Sequence, residues 1–239
     1  MKRYPGIAVA MAIRGQSTDE YSAEHNTLLN LSRLGIPIFA ATSCTRAQNL
    51  GVQHLPNLTL IKSTMDSSQQ LRWAIKAASE NAPHVLWMAG DNVKLSAQLP
   101  RQLDRAFGIL STDISIIFFG RTPRALRTYP AFQQLAEEVT NQAASKLALT
   151  PGLDITYGAV LFCNNNARNI QLAPDHLTGR ELLFWLYGKI LRNGSVGMVR
   201  SQFVYPYSRQ LETPADYERL IANLRDALVG FSLGYELPE

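Results

Sequence analysis

The sequence predicts an α/β fold, a mainly parallel central sheet with helices on both faces, and three observations lead to it. Short apolar runs alternate with helical patterns from the N-terminus onward, the order of parallel strands joined by helical crossovers. The first run, residues 7–13, is apolar throughout, as a strand buried on both faces must be. The chain has 239 residues, 46% hydrophobic and 18% charged, which supplies a large core and too few charges for a disordered chain.

The elements follow in order. Residues 22–34 place Leu28, Leu29, Leu31 and Leu34 at helical spacing, and Gly35 suits the position just past a helix end. A second strand over 36–41 leads to a short helix over 45–50, and 58–61 is a third strand. Residues 67–80 form an amphipathic helix through Leu71, Ala74, Ile75 and Ala78, and 84–89 a fourth strand. The second half reads as a helix over 99–110, a strand over 114–119, a long helix over 131–147 and a short strand over 160–162. A helix over 181–191, a strand over 197–205 and a closing helix over 217–229 complete it. No stretch is rich enough in Pro, Gly or Ser to act as a linker between domains. Residues 1–239 therefore read as one domain, with 1–95 suited to a nucleotide and 96–239 to shaping a second site.

Composition excludes several function classes. The net charge of +4, from 23 basic and 19 acidic residues, suits an anionic small molecule and falls far short of a nucleic-acid-binding stripe. Cys44 and Cys163 form no CxxC pair and no disulfide framework, which points to a reducing compartment. No apolar run reaches ~18 residues, the length a transmembrane helix needs, and residues 1–13 lack a signal-peptide cleavage site. The expectation is a soluble, cytoplasmic protein.

Ligands of open α/β sheets collect beyond the carboxyl ends of the strands. Arg14 follows the first strand; it either meets a phosphate or nucleobase or is a solvated loop residue. Thr42-Ser43-Cys44-Thr45 follows the second and suits helix capping. Ala89-Gly90-Asp91-Asn92 follows the fourth. Asp91 suits a divalent cation whose remaining ligands are phosphate oxygens and water, or else it only caps the next helix. Of the adjacent Glu137 and Glu138, at most one faces a site. Asp154 lies in a turn beside a strand. Glu181 opens a helix, where it also complements the helix dipole. Arg121, Arg124 and Arg127 form a local basic cluster, read either as a flap over donor phosphate or as a solvated surface. No histidine pair, HExxH, GxSxG or Cys-His arrangement supports a hydrolase.

The stretch 67–99 resembles the helix–strand–DxD segment of GT-A glycosyltransferases of the processive and dolichyl-phosphate mannose synthase type, with Ala89-Gly90-Asp91 at the DxD tripeptide. Phe119-Gly120-Arg121 resembles the family's Gly-x-Arg signature. The helix over 132–147 and the loop Leu153-Asp154 to Gly158 resemble its long helix and acceptor-facing loop. Gly179-Arg180-Glu181-Leu182 resembles its acidic helix start, and Tyr205 to Arg209 its late strand with a donor-phosphate arginine. The resemblance implies a GT-A fold and transfer of a sugar from a nucleotide-diphospho-sugar to an acceptor that the sequence does not name. It implies Mg2+ or Mn2+ on Asp91, donor contacts from Arg14, Ser43, Gly90, Arg121 and Arg209, and Asp154 or Glu181 as general base. Neither nucleic acid nor a transmembrane segment is implied. Three positions depart from the family pattern. Ala12 to Gln16 replaces Pro-x-x-Asn-Glu, Ala41-Thr42-Ser43 lacks a carboxylate for the base, and Ala89 replaces the first acid. The alternative is a non-catalytic homologue that binds a nucleotide-sugar or a partner.

Overall fold

A computed structural model describes residues 4–14, 17–43, 50–63, 66–110, 113–204 and 213–236. Among them the strands are β1 (Ile7–Ala12), β2 (Ile38–Thr42), β3 (Leu58–Lys62), β4 (His84–Met88), β5 (Ile114–Arg121), β6 (Ala159–Cys163) and β7 (Ser195–Ser201). The helices are α1 (Thr18–Ser32), α2 (Ser67–Asn81), α3 (Val93–Ile109), α4 (Pro123–Leu126), α5 (Ala131–Leu147), α6 (Asn164–Arg168), α7 (Gly179–Asn193) and α8 (Pro214–Glu236).

The strands form one sheet in the order β3-β2-β1-β4-β6-β5-β7. β6 is antiparallel to both β4 and β5, and the other pairings are parallel. The parallel β/α sheet is therefore the expected one, with a single reversed strand inserted near its middle. That reversal has a consequence for the site. Ala159, which opens β6, pairs with Met88, which closes β4. The loop entering β6 must lie at the edge where the parallel strands end.

Residues of β1 alternate between two cores. Ala8, Ala10 and Ala12 face one side with Phe39, Val85, Trp87, Phe118 and Phe162, under α2, α7 and α8. Ile7, Val9 and Met11 face the other with Ile38, Leu86, Met88, Ile117 and Phe119, under α1 and α3. Period-two alternation inside an all-apolar run is how one strand serves two buried faces.

Several boundaries move for local reasons. α1 starts at Thr18, ahead of its apolar residues, because Ser17 and Glu20 make a reciprocal capping box. α3 starts at Val93 and carries Pro100 within it, although proline suits a helix's first turn and by itself suggests a start near residue 99. α8 extends to Glu236 and packs backbone to backbone on α7. A Cβ on Gly230 would lie 2.1 Å from the Glu181 carbonyl oxygen, and one on Gly234 2.0 Å from that of Trp185. The short helix expected over 45–50 lies outside the described residues except for Leu50, and β7 ends at Ser201.

Candidate active site

The turn after β4 gives the capping of the next helix to Asn92, the neighbour of Asp91. Asn92 is the N-cap of α3, its Oδ1 accepting from the Leu95 N–H at 3.4 Å. Capping is thus done by the neighbour. Asp91 is exposed, and among the described residues its carboxylate has no hydrogen bond or ion pair. Gly90 beside it is buried so tightly that a Cβ would sit 3.1 Å from Glu24 Cγ and 3.2 Å from the Ala12 carbonyl oxygen.

Glu24 is a site residue that the strand-end reading of the sequence passes over. It is 4% exposed, and its Oε1 accepts the Arg14 N–H at 2.7 Å. It thereby fixes the backbone leaving β1. The sequence does carry a signal, because Glu24 stands four and seven residues before Leu28 and Leu31, on the same buried face of α1. A carboxylate on an apolar stripe needs a polar reason. Arg14, Glu24, Trp87, Gly90 and Asp91 line a cavity of about 210 Å3 at the strand ends. Arg14 spans toward α2, where its Nη2 donates to the Ser67 carbonyl at 3.5 Å. Ser43 is half-buried directly after β2, and Arg209 lies outside the described residues.

Arg121 occupies a different environment from either expectation. It is 2% exposed, neither a flap nor a solvated cation, while Arg124 and Arg127 are exposed. Its Nε and Nη2 donate to the two oxygens of Asp154 at 2.8 Å each, and its backbone N–H donates to Asp154 Oδ2 at 2.7 Å. Nη2 also donates to Thr156 Oγ1 at 2.9 Å and pairs with Glu137. The rings of Tyr129 and Tyr157 lie 4.5 and 5.6 Å from the guanidinium carbon. Burial alone would pull this guanidinium down, but Asp154 and Glu137 hold it above its usual value. Arg121 is committed to this cluster and not to a phosphate, which corrects its place as a donor ligand.

Asp154 is corrected on the same ground. Burial would raise its carboxyl, yet the Arg121 bonds and charge hold it below the usual carboxylate range. Asn141 Nδ2 adds a further donor at 3.1 Å. The Asp154 oxygens already accept from Arg121, Asn141 and Thr156, so Asp154 is engaged within this cluster. Glu181 is also otherwise engaged. Its Oε2 accepts the Thr178 N–H at 2.7 Å while the Thr178 hydroxyl accepts the Glu181 N–H, a capping box on α7.

A second cavity, of about 280 Å3, lies on the other side of Asp91 and is lined by Glu137, Thr140, Thr156, Tyr157, Arg180 and Arg219. Of the adjacent glutamates it is Glu137 that faces this space; Glu138 lines a separate outer groove. Glu137 Oε1 accepts from Gln133 at 2.7 Å and Oε2 from the Thr156 hydroxyl at 3.2 Å. Tyr157, which stacks on Phe203 at 4.5 Å, donates its hydroxyl to the same Asn92 Oδ1 that caps α3, at 3.0 Å.

Among the described residues no group of three His, Cys, Asp or Glu side chains is placed to hold a metal. A lone, unpartnered carboxylate at a cavity lip suits Mg2+ or Mn2+, which take one or two carboxylates and complete the shell with phosphate oxygens and water.

No family model and no curated protein matches the chain. Solved structures do. Glucosyl-3-phosphoglycerate synthase from Mycobacterium tuberculosis in complex with UDP is 14% identical at a TM-score of 0.60, with 98% of this chain and 82% of that one covered. The same enzyme in complex with Mn2+, UDP and glucosyl-3-phosphoglycerate is 13% identical at a TM-score of 0.55, covering 98% and 81%. A mycobacterial protein is 12% identical at a TM-score of 0.62, covering 98% and 76%. This chain shares their fold, and its mostly parallel central sheet flanked by helices is the one that the GT-A resemblance implied.

Proposed function

We propose that this protein is a metal-dependent glycosyltransferase that uses a nucleotide-diphospho-sugar, with residues 1–95 forming the donor half and 96–239 the acceptor half. The observation that carries the reading is the unpartnered Asp91 carboxylate, set where the two strand-end cavities meet. The shared fold supports it, since the similar structures hold UDP and, in some, Mn2+. The family resemblance extends the reading to the processive and dolichyl-phosphate mannose synthase type, in a cytoplasmic setting. No helix among the described residues is long and apolar enough to cross a membrane.

In this reading Arg14 and Ser43 face the nucleotide, and Gly90, whose missing Cβ leaves room for Glu24, presents its backbone to the donor. Asp91 holds the cation, Mg2+ or Mn2+, which when bound neutralises the leaving diphosphate. The acceptor oxygen bonds to the anomeric carbon as the bond from that carbon to the diphosphate oxygen breaks, and its electron pair leaves with the nucleoside diphosphate. Glu137, which lines the cavity beside Asp91, takes the acceptor proton.

Thermal-shift titration with UDP, GDP, ADP and CDP, with and without Mn2+, tests the reading. Nucleoside diphosphates should stabilise wild type only with Mn2+, and the Asp91→Ala variant should not respond. Stabilisation that ignores both metal and variant overturns the role of Asp91. No response to any nucleotide overturns donor binding and favours the partner-binding alternative.

A further inference from the structure

We propose that this chain pairs with a second copy of itself through the outer face of α5, about a two-fold axis beside Gln142. The glycosyltransferase reading makes no use of this face. Glu137 and Thr140 of α5 look into the cavity beside Asp91, whereas Gln134, Glu138, Gln142 and Lys146 line a separate groove of about 860 Å3 on the outer side. The groove runs along the helix from Gln134 to Leu149, about 22 Å at 1.5 Å per residue. Its far wall carries Pro123, Leu126, Pro151 and Leu153. A long slot with apolar walls beside a helix is shaped to take the side chains of another helix.

Leu149 is the first sign that another surface covers this face. It ends α5 in a Schellman motif, its N–H donating to the Lys146 carbonyl at 3.3 Å and the Thr150 N–H to the Ser145 carbonyl at 3.0 Å. That motif calls for a left-handed residue, normally glycine, and Leu149 sits there at φ 50°. Packing within the chain does not offset the strain, since the side chain is 91% exposed at the lip of the groove. Leu135 and Val139, also exposed, carry the apolar stripe toward the other end of the helix.

Symmetry identifies the occupant. A two-fold contact is self-complementary, each residue meeting one that meets it in return. Counted from Gln142, Leu135 and Leu149 stand seven residues to either side, and Glu138 and Lys146 four to either side. Steps of three and four residues keep all five on one face. Two α5 helices crossing antiparallel at Gln142 therefore set Glu138 of one copy against Lys146 of the other, twice, and Leu135 against Leu149, twice. A parallel pair would set like charge against like. Both charges are exposed, and neither has an ion pair among the described residues; Glu138 accepts only from Gln142 Nε2, at 2.9 Å.

Sedimentation equilibrium of the full chain at micromolar concentrations tests this. Wild type should sediment at twice the 26.6 kDa chain mass. Glu138→Lys and Lys146→Glu each place like charges at both ends of the contact and should weaken the dimer by ~10-fold or more. The two substitutions combined exchange the charges and should return the dimer to within ~3-fold of wild type. Leu149→Gly removes the apolar contact and relaxes the left-handed backbone. It should weaken the dimer by ~10-fold, while its urea midpoint in solutions dilute enough to hold monomer stays at or above that of wild type. A lower midpoint would show that Leu149 serves the monomer's own fold, and overturns the argument from strain. Wild type that stays monomeric at its highest soluble concentration overturns the proposal and leaves the groove to another occupant. A dimer that neither charge variant weakens lies on another face, such as the exposed Tyr217 and Ile221 of α8, and overturns it as well. A dimer weakened by both single variants and not restored by their combination overturns the antiparallel register. These readouts involve no nucleotide, so their failure is distinct from failure of donor binding.

Discussion

The ends of β4 and β5 carry similar sequence signals, Ala89-Gly90-Asp91 and Phe119-Gly120-Arg121, and the fold treats the two charges in opposite ways. Asp91 is left exposed between two cavities, without a partner among the described residues. Arg121 is sealed under the loop that enters β6 and shares its guanidinium between Asp154 and Glu137. Topology makes the difference. Antiparallel β6 brings residues 153–158 back to the edge where β4 and β5 end, and Gly120 lets Asp154 come in close, since a Cβ there would lie 2.9 Å from Asp154 Cβ. A charge after a strand is therefore not yet a site. What remains unpartnered once the loops have folded over it is what can meet a ligand.

The sharpest way to break this comparison is at Arg121. Arg121→Met removes one partner of a buried cluster and leaves Asp154 and Glu137 facing each other uncompensated, which should cost about 3–5 kcal/mol of stability. Urea unfolding measures it. A loss below about 1 kcal/mol would mean that the cluster is solvated and Arg121 is not structural.

Asp154→Asn tests the same cluster through pH. The Asp154 carboxyl sits below its usual range in the folded protein, so its stabilising contribution is complete above the unfolded value near pH 3.9 and is lost as pH falls through the lower folded value. At pH 7 the variant should be less stable by about 1.5–3 kcal/mol, the worth of hydrogen bonds to a charged group. Below about pH 4 the wild-type and variant unfolding curves should converge. Curves that stay parallel through that window would place the acid sensitivity elsewhere.

Asp91→Ala turns the comparison round. It should change stability by less than about 0.5 kcal/mol, because the side chain holds nothing in the fold. It should lower turnover by ~10²-fold or more, about 2.7 kcal/mol. Unfolding and donor-turnover assays on the same preparation separate the two effects, and a variant that turns over like wild type removes Asp91 from the site.

Much of this is legible in the sequence, and the rest is hidden for definable reasons. The strands and most helices announce themselves because an apolar face has to be buried at period 2 or 3.6. The position of Asp91 just past a buried strand is legible because the strand and the turn after it are local features. The fates of Arg121 and Asp154 are not, since their partnership joins residues 33 positions apart through a reversed strand that periodicity cannot orient. Glu181 is legible as a cap and gains a chemical role only through the resemblance; the capping box is the better account. The choice between Glu137 and Glu138 needs the rotation of α5, which an adjacent pair of identical residues leaves undetermined.

The smallest expected effect is at Arg14, and it sharpens the contrast because backbone and side chain there serve different ends. The Arg14 N–H is held by buried Glu24 at 2.7 Å, a bond that any residue but proline at this position would make. The side chain itself is exposed and lines the donor cavity, reaching toward the start of α2. Arg14→Ala should therefore leave the turn anchored and stability within about 0.5 kcal/mol of wild type, as for other surface substitutions. With no carboxylate in Ala41-Thr42-Ser43, the proposed base site has only neutral hydroxyls and carbonyls to offer there, at about 0.5–1.5 kcal/mol each. Loss of a stacking or hydrogen-bonding guanidinium should then weaken nucleoside diphosphate binding by ~10-fold, about 1.4 kcal/mol, whichever base is offered. Glu24→Gln supplies the contrast. It keeps an acceptor for the same N–H, so the turn stays anchored and nucleotide affinity should fall by less than in Arg14→Ala. Competition binding across UDP, GDP, ADP and CDP measures both variants. A loss in Arg14→Ala confined to one base would make Arg14 a specific reader of that base, and equal affinity to wild type for all four would leave the donor cavity to the backbone and Asp91 alone.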